Sequence, residues 1–322
     1  MSAFFNRLAG LAKPILLAAA LLAPPAAMAQ EYPTKEVTLV IPFSPGGVND
    51  TVGRFLAERL GKMWNQTVVV ENRPGAGSAI GTAHVTKAQP DGYTLLLVSG
   101  SLTTNAAVQK NLPFDPIKDL QPIAMASIGD LVVLSGTHIP MASLKDVQAE
   151  AKAKTIFFGT PGVGTLAHLG AEMLNDMQGI DMQPVHYPGG SEVLTDMGGG
   201  RLDVYVCGVN DAKKGIGKPI AIMSQRRSAT FPDVPTTVEQ SYPNAIASIW
   251  VGVFSPARLP KDVADKINHD IVSVMKSPDA VKFLESQGSA TSEMSVGEFT
   301  EYVASELKKW TELVEKHALA AK

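Results

Sequence analysis

Short apolar runs of strand length alternate with amphipathic stretches along most of this chain. Residues 37–43 read as a buried strand, and residues 51–64 as a helix with Val52, Phe55, Leu56, Leu60 and Met63 on one face. A strand at 68–70, a helix at 80–88 and a strand at 94–98 complete a βαβαβ order. That order predicts a largely parallel sheet with helices on both faces. The pattern then restarts. Residues 123–135 form a long apolar stretch interrupted by Gly129-Asp130. Strands are predicted at 155–158, 184–187, 204–206, 221–223 and 250–254, and helices at 166–177 and 191–197. A Pro-rich connection occupies 231–235, and the end of the chain is helical over 261–275, 278–287 and 296–317. The stripe of Tyr302, Leu307, Trp310 and Leu313 in the last helix reads as core packing.

Two similar α/β units follow, joined by crossings near 127–130 and 247–252, with the C-terminal helices returning to the first unit. The expected division is residues 30–128 plus 250–322 for the first domain and 129–249 for the second.

The first residues change where such a protein works. Arg7 and Lys13 precede an apolar stretch at 15–23, and Ala27-Met28-Ala29 supplies a small-residue cleavage site. This is the layout of a secretory signal peptide spanning 1–29, cut after Ala29. The apolar stretch is too short to span a bilayer, and Pro24-Pro25 closes it. Without a Cys at the cleavage site, a lipid-anchored product is not expected. Removing 29 of 322 residues leaves 293, enough for two domains, and takes the net charge from -3 to -5 as Arg7 and Lys13 leave. A mildly acidic exported protein is a poor partner for nucleic acid or an anionic membrane surface. Cys207 stands alone, so no disulfide forms within the chain.

The candidate chemistry is a device repeated four times, a strand running through a Gly/Pro loop straight into a helix. The loops are Ser44-Pro45-Gly46-Gly47-Val48-Asn49-Asp50, Arg73-Pro74-Gly75-Ala76-Gly77-Ser78, Thr160-Pro161-Gly162-Val163-Gly164-Thr165 and Tyr187-Pro188-Gly189-Gly190-Ser191. A helix start leaves amide groups without partners, and these donors with the helix dipole make an anion site. In an open α/β sheet such loops gather at the carboxyl ends of the strands. Plain α/β connections look the same one at a time; four together, two per unit, favour a two-lobed clamp. Residues 162–167 also fit G-x-G-x-x-A, but an exported protein meets few dinucleotides, and no cofactor is expected. His84, His138, His168 and His186 are dispersed, without zinc-ligand spacing. Cys207 reads either as a structural residue of a buried strand or as a thiol nucleophile. Asp50 complements a helix dipole or orders its loop; Arg73 pairs a ligand carboxylate or pins its loop; Tyr187 stacks on a ligand or covers the cleft floor.

Together the first loop with Arg54, the Glu71–Gly77 segment, Pro90-Asp91-Gly92-Tyr93-Thr94-Leu95, Phe114-Asp115-Pro116, Gly162-Val163-Gly164-Thr165 with His168, and Pro232-Asp233-Val234-Pro235-Thr236 resemble the Bug-type substrate-binding proteins of tripartite tricarboxylate transporters. The likeness covers essentially the whole mature chain. It implies a type II-like periplasmic-binding-protein fold, with two α/β lobes and a ligand cleft between them. It implies a periplasmic, non-enzymatic monomer that captures a small carboxylate and hands it to the membrane components of a transporter. Carried over by position, the ligand-binding set is Ser44, Gly46, Gly47, Asn49 and Asp50 from the first loop, and Gly77 and Ser78 from the second. Ser99, Thr165, His168 and Tyr187 complete it. The chain departs from the pattern in places: His186 replaces a Pro and Pro188 follows the Tyr, Ser78 stands where Gly is commoner, and Cys207-Gly208 replaces frequent Asp and Asn. The last favours a dicarboxylate or aromatic carboxylate over an amino acid. The alternative is an exported hydrolase of carboxylate esters. A periplasmic sensor subunit would share the same clamp.

Overall fold

The computed structural model describes residues 32–109, 111–187 and 189–319. The expected signal peptide, with its cleavage site, lies outside the described residues, as does Pro188 of the fourth loop. The first unit begins with β1 (Val37–Ile41), α1 (Val48–Trp64), β2 (Val68–Asn72), α2 (Ala79–Val85), β3 (Thr94–Ser99) and α3 (Ser101–Val108). β1 lies between β2 and β3 and is parallel to both. The helix expected from residue 51 starts three residues earlier, so the end of the first glycine loop is its first turn. Its apolar face is Val52, Leu56 and Leu60 as expected, but Met63 is exposed and Trp64 is buried instead. The reason is polar: the Trp64 indole N–H donates to the buried Asp270 carboxylate at 2.6 Å.

The chain then crosses over in β4 (Leu120–Ser135). The second unit contains α4 (Leu144–Ala153), β5 (Phe157–Thr160), α5 (Leu166–Gln178), β6 (Gln183–His186), α6 (Gly190–Gly198), β7 (Val204–Gly208), α7 (Val209–Ala212) and β8 (Lys218–Ile222). It returns through β9 (Ser248–Pro256), followed by α8 (Lys261–Met275), α9 (Pro278–Ser286), β10 (Ser289–Ala290) and α10 (Val296–Lys316). Strand order is β2-β1-β3-β9-β4-β7-β5-β6. β4 pairs with β9 from Leu120 to Asp130 and with β7 from Leu131 to Ser135, so one strand serves both sheets. Gly129-Asp130, expected as an interruption, lies inside that strand.

The largely parallel expectation needs correction. The outer pairs β1–β2, β1–β3, β5–β6 and β5–β7 are parallel, but β9 is antiparallel to both β3 and β4. A strand that leaves a unit and one that returns to it run in opposite directions, so the crossing pair is antiparallel by construction. Helices cover both faces of each sheet. In the first unit, Leu39 and Leu95 pack with Leu56 of α1 and Ile267 of α8, while Val40 and Leu96 pack with Leu102 of α3 and Phe299 of α10. In the second, α4 and α5 cover one face and α6 and α7 the other.

α10 does not return to the first unit alone. Phe299 and Val303 join the first unit's core, whereas Trp310, Leu313 and Val314 join the core built on Val133, Leu169 and Leu174. A capping box at Ser295 and Glu298 starts it, so a single well-formed helix is anchored in both units. Trp64→Phe keeps the ring and removes one donor from a buried carboxylate. We expect a loss of about 1–3 kcal/mol in urea unfolding, read as a lower midpoint at unchanged slope; an unchanged midpoint would show that Lys266, 2.7 Å from Asp270, suffices.

A candidate anion cradle between the two units

The first loop is held from behind. Asp50 is buried, and its carboxylate accepts from the Gly46 amide at 2.9 Å, the Arg54 Nε at 2.9 Å and the Asn72 side-chain amide at 2.9 Å. Asn72 also donates to the Phe43 carbonyl at 3.0 Å, and Arg54 reaches back to the Asn72 oxygen at 2.9 Å. Gly46 takes φ +90, a backbone state that side chains resist, which lets its amide turn back onto Asp50. The Arg54 hydrogen bond, with those from Gly46 and Asn72, holds the Asp50 carboxyl down at about 2 against the effect of burial. Asp50 therefore orders the loop. It also ties the first loop to the base of the second, because Asn72 directly precedes Arg73. Arg73 is engaged locally, paired with Glu71 at 2.6 Å.

The second loop meets a helix that hydrophobic periodicity does not reveal. The Asn105 side-chain amide of α3 donates to the Gly77 carbonyl. Ser78, buried at φ +87, occupies a left-handed turn, the physical reason a glycine is favoured there. α3 then reaches across to the other unit. Val108, at its C-terminal end, is buried in the second unit's core with Leu131 and Leu169. Gly164 of the third loop lies against it, so closely that a Cβ there would sit 2.9 Å from the Val108 side chain. The third loop is joined to the fourth by the Tyr187 amide, which donates to the Thr160 carbonyl at 2.9 Å. The four loops thus form one unbroken run of contacts from Asp50 to Tyr187, with α3 in the middle.

The loops do not all offer free donors. α1 and α3 start at Gly47 and Gly100, which carry no capping side chain, so their first amides stay open to an outside acceptor. α5 is capped: Thr165 accepts from the His168 amide. α6 has no side-chain cap, but the Asp211 carboxylate lies 2.9 Å from where a Gly190 Cβ would be, and Glu192 sits in its first turn. The fourth loop thus has carboxylates beside its helix start, one of them, Asp211, paired with Lys214 at 2.8 Å.

The other expected residues separate in the same way. Ser44 and Gly47 are exposed, and Asn49 is half-buried with its side-chain oxygen enclosed and unpartnered. Ser99 stands 3.1 Å from Ser101, hydroxyl to hydroxyl, at the start of α3. Thr165 donates its hydroxyl to the Gly162 carbonyl at 2.8 Å. His168 is 2 % exposed, and its Nδ1 accepts from the Gly164 amide at 3.1 Å, so its ring is closed to a ligand. Tyr187 is half-buried and donates to Asp196 at 2.7 Å; burial, then that carboxylate, push its hydroxyl up to about 12. Cys207 is 2 % exposed and burial pushes its thiol up, so this residue is a structural part of β7 rather than a thiol nucleophile. Sequence reasoning missed Asn72, Asn105, Val108 and Asp211. Only Gly100, a small residue between two serines at a strand end, marked the start of α3.

Residues 52–319 match the family described as tripartite tricarboxylate transporter family receptor. Among similar proteins, a UPF0065 protein of Bordetella bronchiseptica is 34% identical over 276 residues, covering 84% of this chain and 82% of its own length. BugT of Bordetella pertussis is 30% identical over 308 residues, covering 93% and 94%. Among solved structures, a periplasmic transporter aligns with TM-score 0.76 at 30% identity over 90% of this chain and 99% of its own. R. palustris Rpa4515 with adipate aligns with TM-score 0.76 at 25% identity over 88% and 98%. MatC from Rhodopseudomonas palustris with bound malate aligns with TM-score 0.73 at 25% identity over 88% and 100%.

Asp50→Asn tests the clasp. A carboxyl held below its unfolded value stabilises the fold above the unfolded pKa and loses that contribution as pH falls through the folded one. We expect the variant to be about 1–2 kcal/mol less stable at neutral pH. The difference from wild type should shrink as pH falls from about 4 toward about 2. A difference that stays constant across that window would remove the charge from the account.

Proposed function

This chain belongs to the tripartite tricarboxylate transporter receptor family, and from that premise we propose that it captures a small carboxylate between its units and delivers it to the membrane components of such a transporter. The observation that carries the reading is the run of contacts joining the loops, with two uncapped helix starts, α1 and α3, on the first unit's side of it. One helix start contributes only about 0.3–1 kcal/mol at an exposed site. Micromolar binding needs about 8 kcal/mol. Several donors must therefore act on one anion, and the second unit must exclude water from them.

The side chains favour the ligand class. Both nearby guanidinium groups are engaged, Arg54 with Asp50 and Arg73 with Glu71, so the anion meets amides and hydroxyls rather than a free cation. Asp50 is fully occupied by its donors and offers nothing to an ammonium group. Val48 and Val163, from the first and third loops, and Ile80, in the first turn of α2, are exposed apolar residues that suit an aliphatic or aromatic body. A dicarboxylate or aromatic carboxylate fits these features, and an amino acid does not. The adipate and malate of the two related structures belong to that class. The family's place of work is the periplasm, and no helix among the described residues is long and apolar enough to cross a membrane.

A thermal-shift panel of adipate, malate, benzoate and aspartate tests the reading. A true ligand at about a hundredfold excess over its Kd should add about 2.7 kcal/mol of stability, while aspartate should add none. Gly47→Asp should abolish the shift without lowering the ligand-free Tm, because Gly47 has an ordinary φ of -81 and only the Ser44 carbonyl, at 4.0 Å, near an added Cβ. No shift with any carboxylate, or a full shift in Gly47→Asp, would overturn it.

A further inference from the structure

The third loop is set by a buried histidine. The Gly164 amide donates to His168 Nδ1 at 3.1 Å. An amide N–H is always a donor, so Nδ1 must carry no proton, and the proton of the neutral ring sits on Nε2. Nε2 is enclosed with no hydrogen-bond partner and faces the Glu172 carboxylate at 3.6 Å, too long for a hydrogen bond but short for charges. Phe158 stacks on the ring at 6.0 Å between centroids and fixes its plane. Gly164 itself needs this anchor. Its φ of +74 places it in the left-handed region, and its opposite side lies against Val108 of the first unit.

We propose that His168 is a positioning residue for the ligand loop: its neutral ring holds the third loop against α3, and protonation of the ring releases it. A second proton can go only to Nδ1, where it turns the acceptor into a donor facing the Gly164 N–H. The hydrogen bond is replaced by a donor–donor contact, and the loop that closes the cleft from the second unit loses its tie.

The charged groups around the ring set its balance. On α5, burial works to raise the Glu172 carboxyl, but His168 and the Asn175 amide outweigh it and hold it below the usual range. Glu172 is thus a buried anion beside Nε2, and it favours the charged ring. On β6, His186 packs edge-on at 5.2 Å and opposes it; burial and the His168 charge push His186 down. From α10, His317 acts on Glu172 and is 3.4 Å from Asp176, which Lys316 also pairs. When the ring takes its second proton the loop loosens, and the grip on the ligand weakens with it. That consequence for binding rests on the carboxylate reading above; the loop release does not.

The test is protection of the Gly164 amide against hydrogen exchange in the ligand-free chain. In wild type we expect protection near pH 8 and a fall of about tenfold or more by about pH 5.5. His168→Asn places an oxygen where Nδ1 was and cannot titrate, so Gly164 should stay protected at both values. His168→Phe keeps the stacking and lacks the acceptor, so protection should be low at both. Wild-type protection that does not change with pH, or wild-type protection in His168→Phe, would overturn the proposal. A second arm follows adipate affinity: about a tenfold loss in wild type over the same interval, and no comparable loss in His168→Asn, which removes the probe's own titration from the comparison. If adipate binds at neither pH, the carboxylate reading fails for that probe and the exchange arm still decides the role of His168.

Discussion

An α-helix cannot satisfy its own first amides, and where those open donors are placed governs the molecule. Side chains close three of the helix starts, Thr165 for α5, Ser143 for α4 and Ser295 for α10. α1 and α3 start at glycines that supply no capping side chain, and the far end of α3 is buried in the second unit. With glycine at the cap the loss of stability is small, on the order of a few tenths of a kcal/mol, so these ends stay open at little cost. Asp50 provides the rigidity for α1. It binds the loop from the rear through three donors and leaves the outward-facing amides alone.

The architecture brings those ends into reach of the second unit. β4 and β9 carry the chain between units as one antiparallel pair, and α10 is buried in the cores of both. α3 inserts Val108 into the second unit and meets the third loop at Gly164. Motion of one unit against the other must pass through these few elements. Gly164 is the point where loop conformation, contact with α3 and the His168 hydrogen bond meet.

Much of this is legible in the sequence because apolar spacing reports burial. β1, β3 and α8 can be placed within a residue or two, since Val37, Leu95 and Ile267 repeat at the strand and helix periods of fully buried faces. α3 is not legible. Its Leu102, Thr103 and Thr104 are all buried, so no polar face marks it as amphipathic. Spacing carries no strand direction, and this is why the parallel content is overestimated. At the site, the motifs locate the loops and not their roles. Asp50 and His168 sit at motif positions, yet each turns its polar atoms to the loop itself. The carboxylate beside the fourth loop, Asp211, lies far along the chain from Gly190 and has no local signature.

The most direct measurement is an amide proton–nitrogen map of the labelled chain, titrated with the carboxylate that stabilises it most. The account predicts that the amides of Val48, Asn49, Ser101 and Val163 shift together along one saturating isotherm. Silent amides at the starts of α1 and α3, with perturbations gathered instead between α5 and α10, where Met173, Asp176, Lys309 and Lys316 line a groove, would contradict it.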